Sequence, residues 1–297
     1  MKLFDRRVLL SGVLLAAIVP LSIFAFGSEK TRGLGIFNEN AAFNHISALE
    51  SIGPRIPNTE AHTKAREYIV KHLEEAGWDV TEQTFLFNNT IGYNIIGSNG
   101  QAGGILLAAH YDSRMFADKE TDPQRALLPV PGANDGASGT SILLELTKCI
   151  HPDQKPVQLV FFDLEDQGNI DGWEWILGSR AFVDKMKIPP TVMVLLDMVG
   201  AQDARFYYEV NSDDTVRKEI WDTAHRLGYG EVFIKTEKYS VLDDHIPFLE
   251  QGIPAVDIIG LDDPNWHTLA DTKANISTST LKAVGNTICQ WVNEQSR

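Results

Sequence analysis

Cysteine is nearly absent. Two residues, Cys149 and Cys289, in a chain of 297 cannot build a disulfide scaffold, and neither a CxxC nor a Cys-His zinc-finger spacing is present. Any metal must therefore be held by His, Asp and Glu. Basic residues are also scarce, 26 Lys+Arg against 40 Asp+Glu, and the net charge of −14 argues against a general affinity for nucleic acid or anionic lipid. From residue 36 to 297 there is no repeat, no low-complexity tract and no Pro/Gly/Ser linker long enough to separate two domains. Length alone allows one large domain or two small ones, and the missing linker favours a single domain over residues 36–297. The composition, 43% hydrophobic and 22% charged, is that of a globular chain and excludes a disordered or collagen-like one.

The first 27 residues form a separate object. Lys2, Arg6 and Arg7 precede an apolar run over 8–26 that ends near Gly27 and Ser28, the three-part layout of an export signal. The run suits either a cleaved signal peptide or a retained N-terminal membrane anchor, although Pro20 disfavours a straight span. Arg6-Arg7 reads either as a twin-arginine feature or as an ordinary basic n-region. Both place the body outside the cytoplasm, periplasmic or secreted, touching a membrane only through this segment. There Cys149 and Cys289 either pair or remain buried thiols. Asn88 and Asn275 head glycosylation sequons, which matter only in a host that glycosylates.

In the body, Ala61, Ala65, Tyr68, Ile69, Leu73 and Ala76 follow helical spacing, and Gly77 supplies a stop, so a helix is expected over 60–76. A second is expected over 278–293 through Leu281, Val284, Ile288 and Trp291. Four short apolar runs, ILLAA (105–109), VQLVFF (157–162), VMVLL (192–196) and IPAVDII (253–259), read as buried strands of a largely parallel α/β sheet. Residues 81–97 read as a hairpin added at an edge.

Polar residues stand directly after three of these runs: His110-Tyr111-Asp112, Asp163-Leu164-Glu165-Asp166, and Asp197. Strand carboxyl ends line the ligand crevice of an open α/β sheet, so these groups converge. Singly, each reads equally well as a helix cap, a loop acceptor or a satisfied core histidine. Crowded together, the acids repel and are costly to desolvate unless a cation joins them. Histidine with carboxylates and no cysteine suits zinc before manganese. GANDGASG (132–139) brings Asp135, either as a ligand amid residues too small to obstruct a metal or as an Asx-type helix cap. LDDHIPF (242–248) brings Asp243, Asp244 and His245, and NWHTLAD (265–271) brings Trp266 and His267.

The ordered set HYDS (110–113), GANDGASG, FFDLED (161–166), LLDMVGA (195–201), DDHIPF (243–248) and WHT (266–268) resembles the M28-type zinc aminopeptidases. More closely it resembles the zinc-dependent glutaminyl cyclases that share their fold. The likeness covers roughly residues 40–295. It implies a three-layer α/β sandwich with a mixed, mostly parallel central sheet and helices on both faces. For the family as a whole it implies metal ligands at His110, Asp135, Asp166, Asp197 and His267, with Glu165 as general acid/base. For the cyclase branch it implies one zinc on Asp135, Asp166 and His267. Asp197 and Asp243 then form an acidic network beside the reacting group, and Trp266 forms a wall of the substrate pocket. Two positions depart from the animal cyclases: Asp166 replaces a glutamate and Asp257 replaces a histidine.

Both chemistries can be built from these residues. An aminopeptidase would use two zinc ions and a water activated by Glu165. A cyclase would use one zinc, while Glu165 relays a proton from the α-amine of an N-terminal glutamine to the departing ammonia. The paired acids of DDHIPF and the Trp before His267 favour the cyclase, with Trp173 and Trp175 either as the other pocket wall or as loop-packing aromatics. A complete five-ligand set keeps the peptidase open. A non-catalytic binding ectodomain is disfavoured because no ligand or base is missing. The expected partners are N-terminal segments of peptides or proteins.

Overall fold

A computed structural model of the chain describes residues 36–100, 102–150 and 156–295. The segment read as an export signal, residues 1–27, lies outside the described residues. No described helix is long and apolar enough to cross a membrane.

The central sheet has six strands: β1 (Asp79–Phe87), β2 (Thr90–Ser98), β3 (Ile105–His110), β4 (Val157–Phe162), β5 (Val192–Asp197) and β8 (Ala255–Ile259), in the order β1-β2-β4-β3-β5-β8. The four strands expected from apolar runs pair in parallel, β4 with β3, β3 with β5 and β5 with β8. The β1–β2 hairpin occupies the edge and runs antiparallel to β4, as the pattern over 81–97 implied. The parallel strands are covered on both faces, which is why they read as unbroken apolar runs. Along β3, Ile105, Leu107 and Ala109 enter one core, whereas Leu106 and Ala108 enter the other.

The larger core packs under helices α1 (Glu39–Ile52), α2 (Glu60–Glu75), α3 (Ala137–Leu146), α5 (Asp214–Arg226) and α7 (Thr278–Glu294). The smaller one joins Phe162 to Phe182 of α4 (Leu177–Lys185) and Phe248 of α6 (Ile246–Glu250). The result is a mixed, mostly parallel sheet between two helical layers. A short parallel pair, β6 (Phe206–Glu209) with β7 (Phe233–Tyr239), forms a second sheet that no sequence pattern announced. Helix starts follow side-chain caps: Thr59 accepts from the N–H of His62, and Ser277 from that of Thr280. Gly77, expected as a helix stop, follows α2 at φ 75°, in the left-handed region. Cys149 and Cys289 are joined as a disulfide, which resolves the choice left open between a pair and two thiols.

Candidate metal centre and pocket

Every residue singled out as a ligand or base lies at the carboxyl edge of the parallel strands or in a loop that folds over it. His110 and Asp197 are the last residues of β3 and β5. Asp135 precedes α3, Glu165 and Asp166 follow β4, Asp243 precedes α6, and His267 lies beyond β8. The backbone turns sharply where these side chains are aimed. Leu164, Met198 and His267 have φ of 58°, 51° and 56°, in the left-handed region that non-glycine residues rarely adopt. Such conformations persist only where surrounding structure holds them, and here each carries or adjoins a site residue.

Asp135 stands at the centre. Its Oδ1 lies 2.9 Å from Nε2 of His110, and its Oδ2 lies 3.6 Å from Nε2 of His267. His110 Nε2 is also 3.3 Å from Asp197 Oδ1, and His267 Nε2 is 3.1 Å from Asp166 Oδ1. Two buried donor sets result, His110–Asp135–Asp197 and Asp135–Asp166–His267, each with its ligand atoms within 4.8 Å of one another. The residues fit a metal for a further reason: Asp166 Oδ2 is buried and has no hydrogen-bond partner.

Electrostatics point the same way. Burial pushes Asp166 up to about 6, aided by the charge of Asp135 and opposed by His267. Glu165 is raised well above the carboxylate range by burial, with Asp243, Asp166 and Asp244 adding to the effect. Asp197 and Asp243 are raised as well, burial again leading. Both site histidines move upward although burial opposes it, because acids surround them. A cation placed among these acids would relieve the same crowding.

A cavity of about 230 Å³ opens onto this cluster, lined by Glu165, Asp197 and Asp243 at its polar end and by Trp175, Trp266 and Leu261 among its apolar walls. Trp173 is a correction. It does not line the cavity; its ring packs 5.9 Å from that of Phe87 on the edge hairpin. Aromatic spacing in a loop could not tell a pocket wall from a hairpin prop.

The Asx-cap alternative for GANDGASG is also corrected. Helix α3 has Gly136 at its N-cap and no side-chain cap, while Asn134 Oδ1 accepts from the N–H of Gly200 at 2.8 Å. The small residues have packing reasons beyond leaving room for a metal. A Cβ on Gly136 would meet the His110 ring at 2.6 Å, and one on Gly139 would meet the Leu196 carbonyl oxygen at 2.1 Å.

Several supporting residues were not legible. Arg55, fully buried, donates from Nε to the Tyr111 carbonyl at 2.8 Å and from Nη1 to that of Pro131 at 3.0 Å, tying β3 to the Asp135 loop. Asp271 accepts the N–H groups of Asn134 at 2.7 Å and Asp135 at 3.2 Å. Behind Asp243, buried Asp257 lies 3.9 Å from Nδ1 of His245, whose Nε2 is 3.2 Å from Glu209. A histidine therefore adjoins the acidic network from a neighbouring position. Asp257, His245 and Asp271 lie in the strings IPAVDII, DDHIPF and NWHTLAD that the sequence singled out, but nothing in those strings announced these contacts.

The model of peptidase family M28 matches residues 91–292. The chain belongs to that family. The chain is similar to the glutaminyl-peptide cyclotransferase of Bos taurus, 26% identical over 81% of this chain and 78% of the relative. Among solved structures it resembles a glutaminyl cyclase of Tannerella forsythia, 34% identical with a TM-score of 0.80, covering 87% of this chain and 99% of the other. It also resembles a Zn-dependent exopeptidase of Parabacteroides distasonis, 31% identical with a TM-score of 0.82, covering 88% of this chain and 100% of the other.

Proposed function

We propose that the chain is a glutaminyl-peptide cyclotransferase that converts the N-terminal glutamine of peptides or proteins to pyroglutamate and releases ammonia. The observation that carries this reading is the joining of Glu165, Asp197 and Asp243 to Trp175 and Trp266 in one cavity. Such a cavity suits a reaction whose nucleophile is the substrate's own amine and for which water is unwanted. Cyclase relatives, animal and bacterial, support it.

Asp135, Asp166 and His267 would hold one zinc ion. Zinc there would polarise the γ-amide carbonyl of the substrate glutamine. Glu165, its proton affinity raised by burial, accepts a proton as the α-nitrogen bonds to the side-chain amide carbon, Cδ. It returns that proton to the amide nitrogen, Nε2, as the Cδ–Nε2 bond breaks, so ammonia leaves and no net proton is consumed. Asp197 and Asp243 share the charge at the inner end, while Trp266 and Trp175 flank the glutamine side chain and exclude water.

The complete donor set His110–Asp135–Asp197 favours a second reading, a two-metal aminopeptidase. The deciding experiment compares a Gln-initiated peptide with a Leu-initiated one on purified protein, alongside zinc counting. Pyroglutamate with one zinc per chain is expected. Free amino acid, two zinc ions and no pyroglutamate would overturn the reading in favour of the peptidase. We place the protein outside the cytoplasm, on the pattern of residues 1–27 and the Cys149–Cys289 disulfide.

A further inference from the structure

Three buried groups, Asp166, His267 and Arg114, and one exposed group, Asp118, close a ring on one side of the site, and the proposed reaction uses only two of them. Arg114, 1% exposed, donates from Nη1 to the carbonyl oxygen of Asp166 at 3.1 Å and to its Oδ1 at 3.4 Å. From Nη2 it donates to the Gly168 carbonyl at 3.0 Å and to Asp118 Oδ2 at 2.6 Å. The other oxygen of Asp118 lies 3.2 Å from Nδ1 of His267, and His267 Nε2 faces Asp166 at 3.1 Å, completing the circuit. A backbone hydrogen bond from Lys119 N–H to the His267 carbonyl, 3.2 Å, fastens the same loop to the same histidine.

The chemistry of this ring is specific. An imidazole that ligates a metal through Nε2 carries its hydrogen on Nδ1, and a carboxylate at Nδ1 fixes the tautomer, the ring rotation and the donor strength together. Arg114 supplies the complementary constraint. Its planar fork grips the backbone and one oxygen of Asp166, while Oδ2 of the same carboxylate has no hydrogen-bond partner. This matters for an aspartate in the place of a glutamate, because its shorter arm tolerates less backbone drift. The guanidinium further lies 4.9 Å over the Trp175 ring, which stacks on the His267 imidazole with centroids 6.2 Å apart.

We propose that Arg114 and Asp118 act together as a brace that sets how tightly the Asp135–Asp166–His267 position retains zinc. They are positioning residues: neither offers an atom to the metal, and each acts through a ligand. The proposal rests on the metal reading above and adds residues to it.

The test is zinc affinity, measured on the full chain by competition with a chromophoric chelator, beside the melting temperature of the metal-free protein. Asp118 has a side chain 41% exposed, so Asp118→Asn is compatible with folding. The variant is expected to lose about 10- to 100-fold in zinc affinity, the usual cost of removing a carboxylate behind a ligating histidine. Its metal-free melting temperature should stay within about 3 °C of the parent, as for a surface change that leaves the fold intact. Arg114→Lys, which keeps the charge and loses the fork, should weaken zinc in the same direction. The double variant should fall no further than the weaker single one, because the two residues act as a unit. Parental zinc affinity in Asp118→Asn, or strictly additive losses in the double variant, would overturn the brace alone. Failure of the parent chain to take zinc at all would overturn the metal reading and the brace with it.

Discussion

Asp112 accepts the backbone N–H of Glu165 at 3.1 Å. Its other oxygen accepts the N–H of Asp166 at 3.3 Å and the side-chain amide of Gln167 at 3.0 Å. The end of β3 thus holds the loop after β4, and the carboxylate of Glu165 is placed by its neighbours and not by its own charge.

Replacing that carboxylate with an amide of the same shape should therefore leave the loop intact. Glu165→Gln is expected to lower kcat by about 10²- to 10⁴-fold, the usual range for a positioned acid/base. Zinc content and melting temperature should match the parent. Steady-state kinetics on a Gln-initiated peptide, with metal analysis, checks this; parental turnover would remove Glu165 from the proton transfer.

The three tryptophans separate cleanly. Trp266→Ala and Trp175→Ala each remove a wall of the cavity and should raise KM for Gln-initiated peptides on the order of tenfold. Trp173→Ala removes a contact with Phe87 and should lower the melting temperature with KM unchanged. A KM rise in Trp173→Ala equal to that of the other two would contradict the observed packing.

Metal removal should show itself in stability as well as activity. Asp166, Asp197, Glu165 and Asp243 are crowded and buried, so a chelated chain holds acids that only protons or a cation can reconcile. Zinc at a hundred times its dissociation constant should stabilise the fold by about 2.7 kcal/mol, read as a rise in melting temperature with zinc concentration. A melting temperature indifferent to zinc would exclude the ion from the folded site.

Acid stability depends on a group further back. Burial alone would raise Glu209, but the His245 ring and hydrogen bonds from Asn211 and Val241 overcome it and hold its pKa down to about 2, against an ordinary 4.5. A depressed carboxylate stabilises the fold above its unfolded pKa, and that contribution is lost as pH falls through the folded one. Glu209 therefore contributes fully above about pH 4.5 and progressively less towards pH 2. Melting curves of metal-free protein across this window should steepen on the acid side, and Glu209→Gln should flatten that limb; an identical acid limb in the variant would refute the assignment.

The sequence was legible where one physical rule governed several residues at once. Strands buried on both faces appear as apolar runs, and acids placed after three of them converge because parallel strands end on one edge. His110, Glu165, Asp166 and Asp197 could be located in this way, whereas Asp135 and His267 came from the GANDGASG and NWHTLAD strings. The supporting groups were hidden because their partners are backbone atoms distant in the chain. Nothing around Arg55 announces that its guanidinium meets the carbonyls of Tyr111 and Pro131, and nothing around Asp271 announces the N–H groups of Asn134 and Asp135. The β6–β7 pair escaped for another reason: β7 is largely exposed and carries charged residues, so it lacks the apolar run that marked the buried strands.

The metal donors are spread from residue 110 to residue 267, with the supporting Asp271 later still. During synthesis, a chain that has lengthened through β8 still lacks the imidazole of His267 and cannot yet complete the Asp135–Asp166–His267 donor set. The donor set His110–Asp135–Asp197 is complete by residue 197, so the set that needs His267 is the later of the two to be assembled. A chain that stops short of His267 has every strand of the sheet and lacks one donor of the Asp135–Asp166–His267 set.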